Sequence, residues 1–230
     1  MALQPRTFPL SAVLAAIVVA ALTLAACGGS GSPTASASGG PTKAAPTGFQ
    51  WIGLPADHIW LAVPDSWAAL NLNSMSVTQA MARLKLTGQT AADMRNAVEQ
   101  LRSAGGFLAV DTASVATSPS KFATNLNFFC TPASIPLGPG AASAIISATD
   151  SLYPKTGAQI ISDSQVISTT SVAIVRIVAN LPISPGVIAH ELQFVTLTSR
   201  GKICYTSFST DRPAEFFPQF VKMAATIQLN

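Results

Sequence analysis

The stretch that decides the fold is Ile188–Ser209, IAHELQFVTLTSRGKICYTSFS. Its two halves, Ile188–Thr198 and Lys202–Ser209, are rich in β-branched and aromatic residues and are separated by the turn-forming Ser199-Arg200-Gly201. This pattern is typical of two consecutive strands. Two more strands are predicted upstream, at Gln159–Ile167 and Val172–Ala179.

Helix signals lie on both sides of this block. Ser76-Val77-Thr78-Gln79 has the spacing of a capping box, and Thr90-Ala91-Ala92-Asp93 repeats it before a second helix that Gly105-Gly106 ends. Ala141–Leu152 is also predicted to be helical. The C-terminal helix is predicted to become regular near Pro218, because proline disrupts a helix interior. Further strands are predicted at His58–Val63, Phe107–Asp111 and Phe122–Phe129.

The N-terminus has the three parts of a secretory leader. Arg6 precedes an apolar run from Leu10 to Leu24, and small residues then lead into Cys27. The sequence Leu24-Ala25-Ala26-Cys27 resembles the lipobox of bacterial lipoproteins. The resemblance implies cleavage after residue 26, a diacylglycerol thioether on Cys27, and anchoring to the outer face of the cell membrane. An uncleaved membrane-spanning anchor is the alternative, since the apolar run approaches the roughly 20 residues that a spanning helix needs.

A low-complexity segment follows the anchor. Residues 28–48 contain little besides Gly, Ser, Thr, Ala and Pro, which favours a flexible linker that lifts the domain off the bilayer. Residues 49–230 are predicted to form one globular domain. Charged residues make up 10% of the chain, against about 25% in typical proteins, and no basic stripe is present. Nucleic acid is therefore excluded as an expected partner.

The other two cysteines agree with export. Cys130 and Cys204 remain once Cys27 is lipidated, and an even pair in an oxidising compartment favours a disulfide. Two buried free thiols are one alternative. A metal site that combines both cysteines with His58 or His190 is another, although neither cysteine belongs to a close ligand pair. No metal and no cofactor is predicted.

Short motifs support a family resemblance. Val63-Pro64-Asp65-Ser66-Trp67 after a strand, Phe122-Ala123-Thr124-Asn125-Leu126-Asn127 at the start of another, and the closing order of strand, turn, strand and helix resemble domains of the Mog1/PsbP-like fold. Among these, the chain is most similar to actinobacterial LpqN-type lipoproteins. The resemblance implies an α+β fold with a mostly antiparallel sheet flanked by helices, as an α/β/α sandwich. It also implies a binding, adaptor or assembly role without shared catalytic residues.

Catalytic motifs are weak. Ser118-Pro119-Ser120-Lys121 fits S-x-x-K, but Pro119 and the strand that follows do not suit the helix start which that chemistry needs. A Ser-His-Asp site would require His58 or His190 beside a serine in a cleft. No catalytic residue is therefore predicted.

Three tryptophans near the start of the domain are candidate binding residues for sugar or lipid: Trp51, Trp60 and Trp67. Core packing is the alternative role for them. The expected function is a non-catalytic binding or adaptor lipoprotein whose partner is an envelope protein, glycan or lipid. A lipid or glycolipid carrier with an internal cavity of several hundred Å³ is the second hypothesis. An envelope hydrolase is the third.

Overall fold

The computed structural model describes residues 40–169, 171–184 and 186–229. Within them the strands are β1 Phe49–Leu54, β2 Ile59–Pro64, β3 Ala68–Asn71, β4 Phe107–Val110, β5 Asn125–Pro132, β6 Gln159–Ser168, β7 Val172–Ser184, β8 Val187–Thr198, β9 Lys202–Thr210 and β10 Gln228–Leu229. The α-helices are α1 Val77–Leu84, α2 Gly88–Ser103, the short α3 Ser114–Thr117, α4 Ala141–Leu152 and α5 Pro213–Ala224. The leader, Cys27 and the linker as far as residue 39 lie outside this description.

Two antiparallel sheets organise the domain. The larger has seven strands in the order β3-β4-β5-β9-β8-β7-β6, and the smaller has three in the order β1-β2-β10. Every neighbouring pair in both sheets is antiparallel. The predicted α+β class with a mostly antiparallel sheet is confirmed. None of the helices within the described ranges has the length and apolarity needed to cross a bilayer.

One face of the large sheet, here called the aromatic face, carries Leu126, Phe128, Leu192, Phe194 and Phe208. These side chains pack against the small sheet and α5. Phe220 of α5 is fully buried there, with its ring centroid 5.0 Å from that of Phe208 and 6.5 Å from that of Trp67. Since residues two apart on a strand share a face, the alternate positions of the same strands point the other way.

The opposite face, here called the ladder face, is covered in two separate regions. Helices α1 and α2 pack over β3, β4 and β5, burying among others Leu84, Val98 and Leu108. Helix α4 packs over β6 and β7, burying among others Ile145 and Val175. Helices therefore lie on both faces of the large sheet, as the α/β/α prediction requires.

The C-terminal helix corrects one prediction. Helix α5 begins at Pro213 and contains Pro218 in its interior, whereas we predicted a regular helix only from about Pro218. Pro213 stands in the first turn, where a missing amide hydrogen costs nothing. Burial of Phe216 and Phe220 on one side of α5 stabilises the helix across Pro218, which is exposed.

Two element starts and three strands also differ from the prediction. Helix α2 begins at Gly88, with Thr87 as its N-cap, and Thr90 bonds instead through Oγ1 to the carbonyl of Lys121. The predicted strand at Phe122 begins at Asn125. Strands β1, β3 and β10 were not predicted, because they are short and lack a clear polar–apolar alternation.

The capping box before α1 is confirmed. Ser76 Oγ accepts a hydrogen bond from the Gln79 amide, and the Gln79 side chain accepts one from the Ser76 amide. Ser76→Ala is expected to lower the free energy of unfolding by about 1 kcal/mol, because one amide of the first turn loses its partner. Urea denaturation measures this, with Ser66→Ala in an exposed turn as the control. An equal change in both variants would contradict it.

The predicted disulfide joins neighbouring strands. Cys130 and Cys204 are directly paired in the β5–β9 register, their Cα atoms are 4.0 Å apart, and the structure bonds their sulfurs. Cys204 is fully buried on the aromatic face. Both sulfur atoms therefore belong to a disulfide, and the two alternatives, free thiols and a metal site, do not apply.

Candidate functional site

Six polar side chains form two rows across the centre of the ladder face. Strand register pairs Asn125 with Ser209 and Ser209 with Glu191, and likewise Asn127 with Ser207 and Ser207 with Gln193. All six, here called the polar ladder, are at least nine-tenths buried. Burying a polar group costs free energy unless the group is hydrogen-bonded. A continuous band of buried polar side chains on the ladder face therefore needs a specific explanation.

A cavity of about 440 Å³ lies over this ladder, between helix α2 and the ends of strands β7 and β8. Asn125, Asn127, Glu191 and Ser209 contribute to its lining. Its remaining buried walls are apolar and comprise Met94, Leu101, Leu108, Ala123, Leu181, Ile183 and Ala189. The gap exists because the α1–α2 pair and α4 cover different halves of the sheet.

Glu191 is the central group of the site. Its side chain is 2% exposed, and its Oε1 accepts hydrogen bonds from Tyr153 Oη at 2.8 Å and from Gln193 Nε2 at 3.3 Å. Gln193 Nε2 also donates to Ser207 Oγ at 2.7 Å. These bonds hold the carboxyl group in place, and within the described ranges no hydrogen bond reaches its Oε2.

The burial of Glu191 changes its protonation. Desolvation raises the pKa of Glu191 from 4.5 to about 7, against the opposing effect of the Tyr153 hydrogen bond. Desolvation, followed by the charge of Glu191, raises the pKa of Tyr153 well above its ordinary value, so this phenol stays a donor. The carboxyl group is therefore close to half-ionised at neutral pH.

Stability should consequently depend on Glu191 and pH. Below pH 4.5 the carboxyl is protonated in both states, and between 4.5 and about 7 the folded state binds more protons than the unfolded state. The stability contributed by protonated Glu191 is thus lost as the pH rises through about 7, by at most about 1.4 kcal/mol per pH unit.

Glu191→Gln is expected to remove this decline, because the amide does not titrate. Urea denaturation at closely spaced pH values across the window measures the slope. Asp150→Asn, which removes an exposed carboxyl from α4, is the matched control and should keep the wild-type slope. If the free energy of unfolding of Glu191→Gln falls with pH as steeply as that of the wild type, another group is responsible for the pH dependence.

The mouth of the cavity is polar and exposed. Gln89 and Lys121 lie there on the surface, and Gln89 Nε2 donates to Asp93 Oδ1 at 2.7 Å. Lys121 has a left-handed backbone, with φ of 59°. The site therefore combines a charged entrance, apolar walls and a polar floor, which is the usual composition of a small-molecule pocket.

The three tryptophans predicted as candidates do not share one surface. Trp67 is 3% exposed and packs in the aromatic core against Phe220. Trp51 and Trp60 are half-buried and share the outer face of the small sheet, where Trp60 lies over Gly53. Trp51 Nε1 donates to the Lys43 carbonyl at 3.0 Å. A binding role for Trp51 and Trp60 stays a prediction.

The residues considered for catalysis have structural partners instead. Ser118 Oγ donates to Asp211 Oδ2 at 2.6 Å and accepts from the Phe122 amide at 2.7 Å. His190 Nδ1 lies 2.7 Å from Asn180 Oδ1. His58 ends a short turn in a left-handed conformation. The structure does not bring these residues together, and none of the three lines the cavity.

Comparison with known proteins identifies the fold. No protein-family model matches the sequence, and no curated protein does. The solution structure of cyanobacterial PsbP (CyanoP) from Synechocystis sp. PCC 6803 matches with a TM-score of 0.50 and 14% identity, over 83% of this chain and 100% of that chain. The crystal structure of the Ran-binding protein Mog1p from Saccharomyces cerevisiae has a TM-score of 0.41 and 9% identity, over 79% and 95% of the two chains. The chain has a Mog1/PsbP-like fold.

Proposed function

We propose that this chain is a non-catalytic, lipid-anchored binding protein of the bacterial envelope, which holds a small amphiphilic molecule in the cavity over the polar ladder. The single observation that carries the proposal is that cavity of about 440 Å³, with apolar walls and a buried carboxyl group at its floor. Ligand pockets of about 300–1,000 Å³ are typical for small molecules. Of the two binding hypotheses drawn from the sequence, the carrier with an internal cavity is the better supported.

The anchor part of the proposal depends on the leader. The apolar run and Leu24-Ala25-Ala26-Cys27 support cleavage before Cys27 and lipidation of its thiol, and with them a location on the outer face of the cell membrane. Two or more acyl chains make such an attachment lasting, since one chain anchors only marginally. We also infer an LpqN-type actinobacterial lipoprotein, on the sequence motifs that resemble that family.

The linker has a defined end at the domain. Thr42 donates through its amide and its hydroxyl to Gln228 Oε1 of β10, at 2.8 and 2.9 Å. Lys43 accepts from Trp51 of β1. The chain thus joins the domain at the small sheet, whereas the cavity lies across the large sheet on its ladder face. An anchor leaving from this point would keep the cavity free to exchange a ligand.

The chemistry of the floor supports a non-catalytic role. Tyr153 and Gln193 both bond to Glu191 Oε1, and the described lining of the cavity contains neither histidine nor cysteine. The available groups can accept and orient a ligand, but they do not form a nucleophile with an adjacent base. The low charge of the chain supports an envelope lipid, glycan or protein, and not nucleic acid, as its partner.

Native mass spectrometry of the membrane-extracted protein tests both parts. We expect the mass of a chain beginning at Cys27 with added acyl groups, together with a non-covalent amphiphile that is lost on denaturation. Cys27→Ser is the matched control and should remove the acyl mass and the membrane retention. An unacylated, water-soluble wild-type protein would contradict the anchor, and native protein that binds neither cellular nor added amphiphiles would contradict the binding role.

A further inference from the structure

The charged groups of the cavity are unevenly placed. Among its described lining residues, three are charged: Glu191 at the floor, and Asp93 and Lys121 at the mouth. Lys121 is exposed, whereas Glu191 is buried. The floor thus holds a carboxyl group without any cation among the residues that line it.

The floor also has an excess of hydrogen-bond acceptors. Glu191 Oε1 already accepts two hydrogen bonds, while its Oε2 receives none within the described ranges. Asn125 Nδ2 donates a hydrogen bond to the Ala123 carbonyl at 2.8 Å. The Oδ1 atom of the same side chain is a further acceptor. Asn127 is 7% exposed, and its Oδ1 is buried without a partner in the described part of the chain. A buried acceptor without a partner, beside further acceptors that line the cavity, favours a ligand that supplies donors.

We infer that the buried end of the ligand carries hydrogen-bond donors and no negative charge, so that the cavity selects the hydroxyl or amino end of an aliphatic amphiphile and rejects a fatty-acid carboxylate. This inference rests on the proposed binding function and specifies its ligand class. A hydroxyl donates to one acceptor and an ammonium group to as many as three, and both chemistries suit the Glu191 and Asn127 oxygens.

A carboxylate does not suit the same position. Placed against Glu191, it would put two like charges side by side in a buried site, where charges interact more strongly than in bulk solvent. One of the two carboxyl groups would have to take up a proton. A fatty acid could avoid this only by leaving its head at the mouth near Lys121, with the acceptors of the floor unpaired.

Competition binding measures the selectivity directly. The acylated full-length protein in detergent micelles is mixed with equal concentrations of decanol, decylamine and decanoate at mildly alkaline pH, and native mass spectrometry counts each bound probe. We expect decanol and decylamine together to exceed decanoate by at least about tenfold. The ratio of alcohol to amine then shows whether a neutral or a cationic donor is preferred, and both results agree with the inference.

Variants assign the selectivity to the floor. Glu191→Gln keeps the shape of the side chain but removes the negative charge, and it should reduce the discrimination against decanoate by about tenfold. Asn127→Leu should weaken decanol binding, while Asp150→Asn on the exposed side of α4 should leave all ratios unchanged. If Glu191→Gln does not fold, the ratios of bound probes measured with the wild-type protein still test the inference. Decanoate binding equal to or above the other two would overturn the inference, whereas binding of no probe would instead overturn the proposed function.

Discussion

Tryptophan in place of Ala97 is expected to lower the affinity of the cavity for a decyl probe by more than about 100-fold, or about 2.7 kcal/mol. Ala97 lies on α2, is half-buried, and lines the cavity opposite the polar ladder. A buried indole occupies the space that the aliphatic chain needs, since protein interiors leave few voids and side chains cannot interpenetrate. The loss should affect all probes alike, because it removes space and leaves the chemistry of the floor intact.

The same helix provides a matched control. Ala92 is exposed on α2 and does not line the cavity, so Ala92→Trp adds the same side chain without filling it. Probe titrations followed by native mass spectrometry compare the two variants, and thermal unfolding checks that both are folded. Equal affinity in wild type and Ala97→Trp would place the bound ligand outside this cavity.

Removal of the disulfide is expected to lower the free energy of unfolding by about 4 kcal/mol. Cys130 and Cys204 are 74 residues apart, so the bond excludes a large set of extended conformations from the unfolded chain. Their strands, β5 and β9, are neighbours at the centre of the large sheet. The double variant Cys130→Ser/Cys204→Ser should still fold, since the strand register does not depend on the covalent bond.

Urea denaturation of the double variant measures the effect. Wild-type protein unfolded in the presence of a reductant is the control and should reproduce the loss without any substitution. A change below about 1 kcal/mol in both experiments would show that the pairing contributes little beyond the sheet itself. A large change in the variant alone would point to the buried serine hydroxyl at position 204.

The sequence predicted long, strongly periodic elements better than short strands and the first residues of some elements. The strand predicted at Lys202–Ser209 and the helix predicted at Ala141–Leu152 match β9 and α4 to within one residue. Long segments with clear periodicity give such agreement, because burial on one face determines their structure. The prediction of the C-terminal helix start was wrong because of Pro218. The free-energy cost of a proline inside a helix is outweighed here by the packing of the neighbouring phenylalanines in the aromatic core.

The candidate site was not predicted, because it depends on strand register. Asn125 and Glu191 are 66 positions apart and meet only through β9, which lies between their strands. One signal was nevertheless present. Strands β5, β8 and β9 each carry a polar pair two residues apart on a largely apolar face: Asn125 with Asn127, Glu191 with Gln193, and Ser207 with Ser209. Three such pairs in strands that neighbour one another predict a buried polar band.

The tryptophans show the opposite case. Trp51, Trp60 and Trp67 are close in sequence, yet the turn between β2 and β3 sends Trp67 into the core while the other two stay on the outer face of the small sheet. Proximity along the chain therefore did not predict a shared surface. The sequence contains no signal for this separation, since side-chain direction at a strand end depends on the turn.

A crystal structure of the protein with a terminally brominated long-chain alcohol tests the binding role of the cavity most directly, because anomalous scattering locates the bromine independently of the phases from the protein. We predict bromine density between α2 and strand β7, with the alcohol oxygen within hydrogen-bond distance of Glu191 or Asn127. Bromine density confined to the outer face of the small sheet, near Trp51 and Trp60, with the cavity over the polar ladder unchanged, would contradict it.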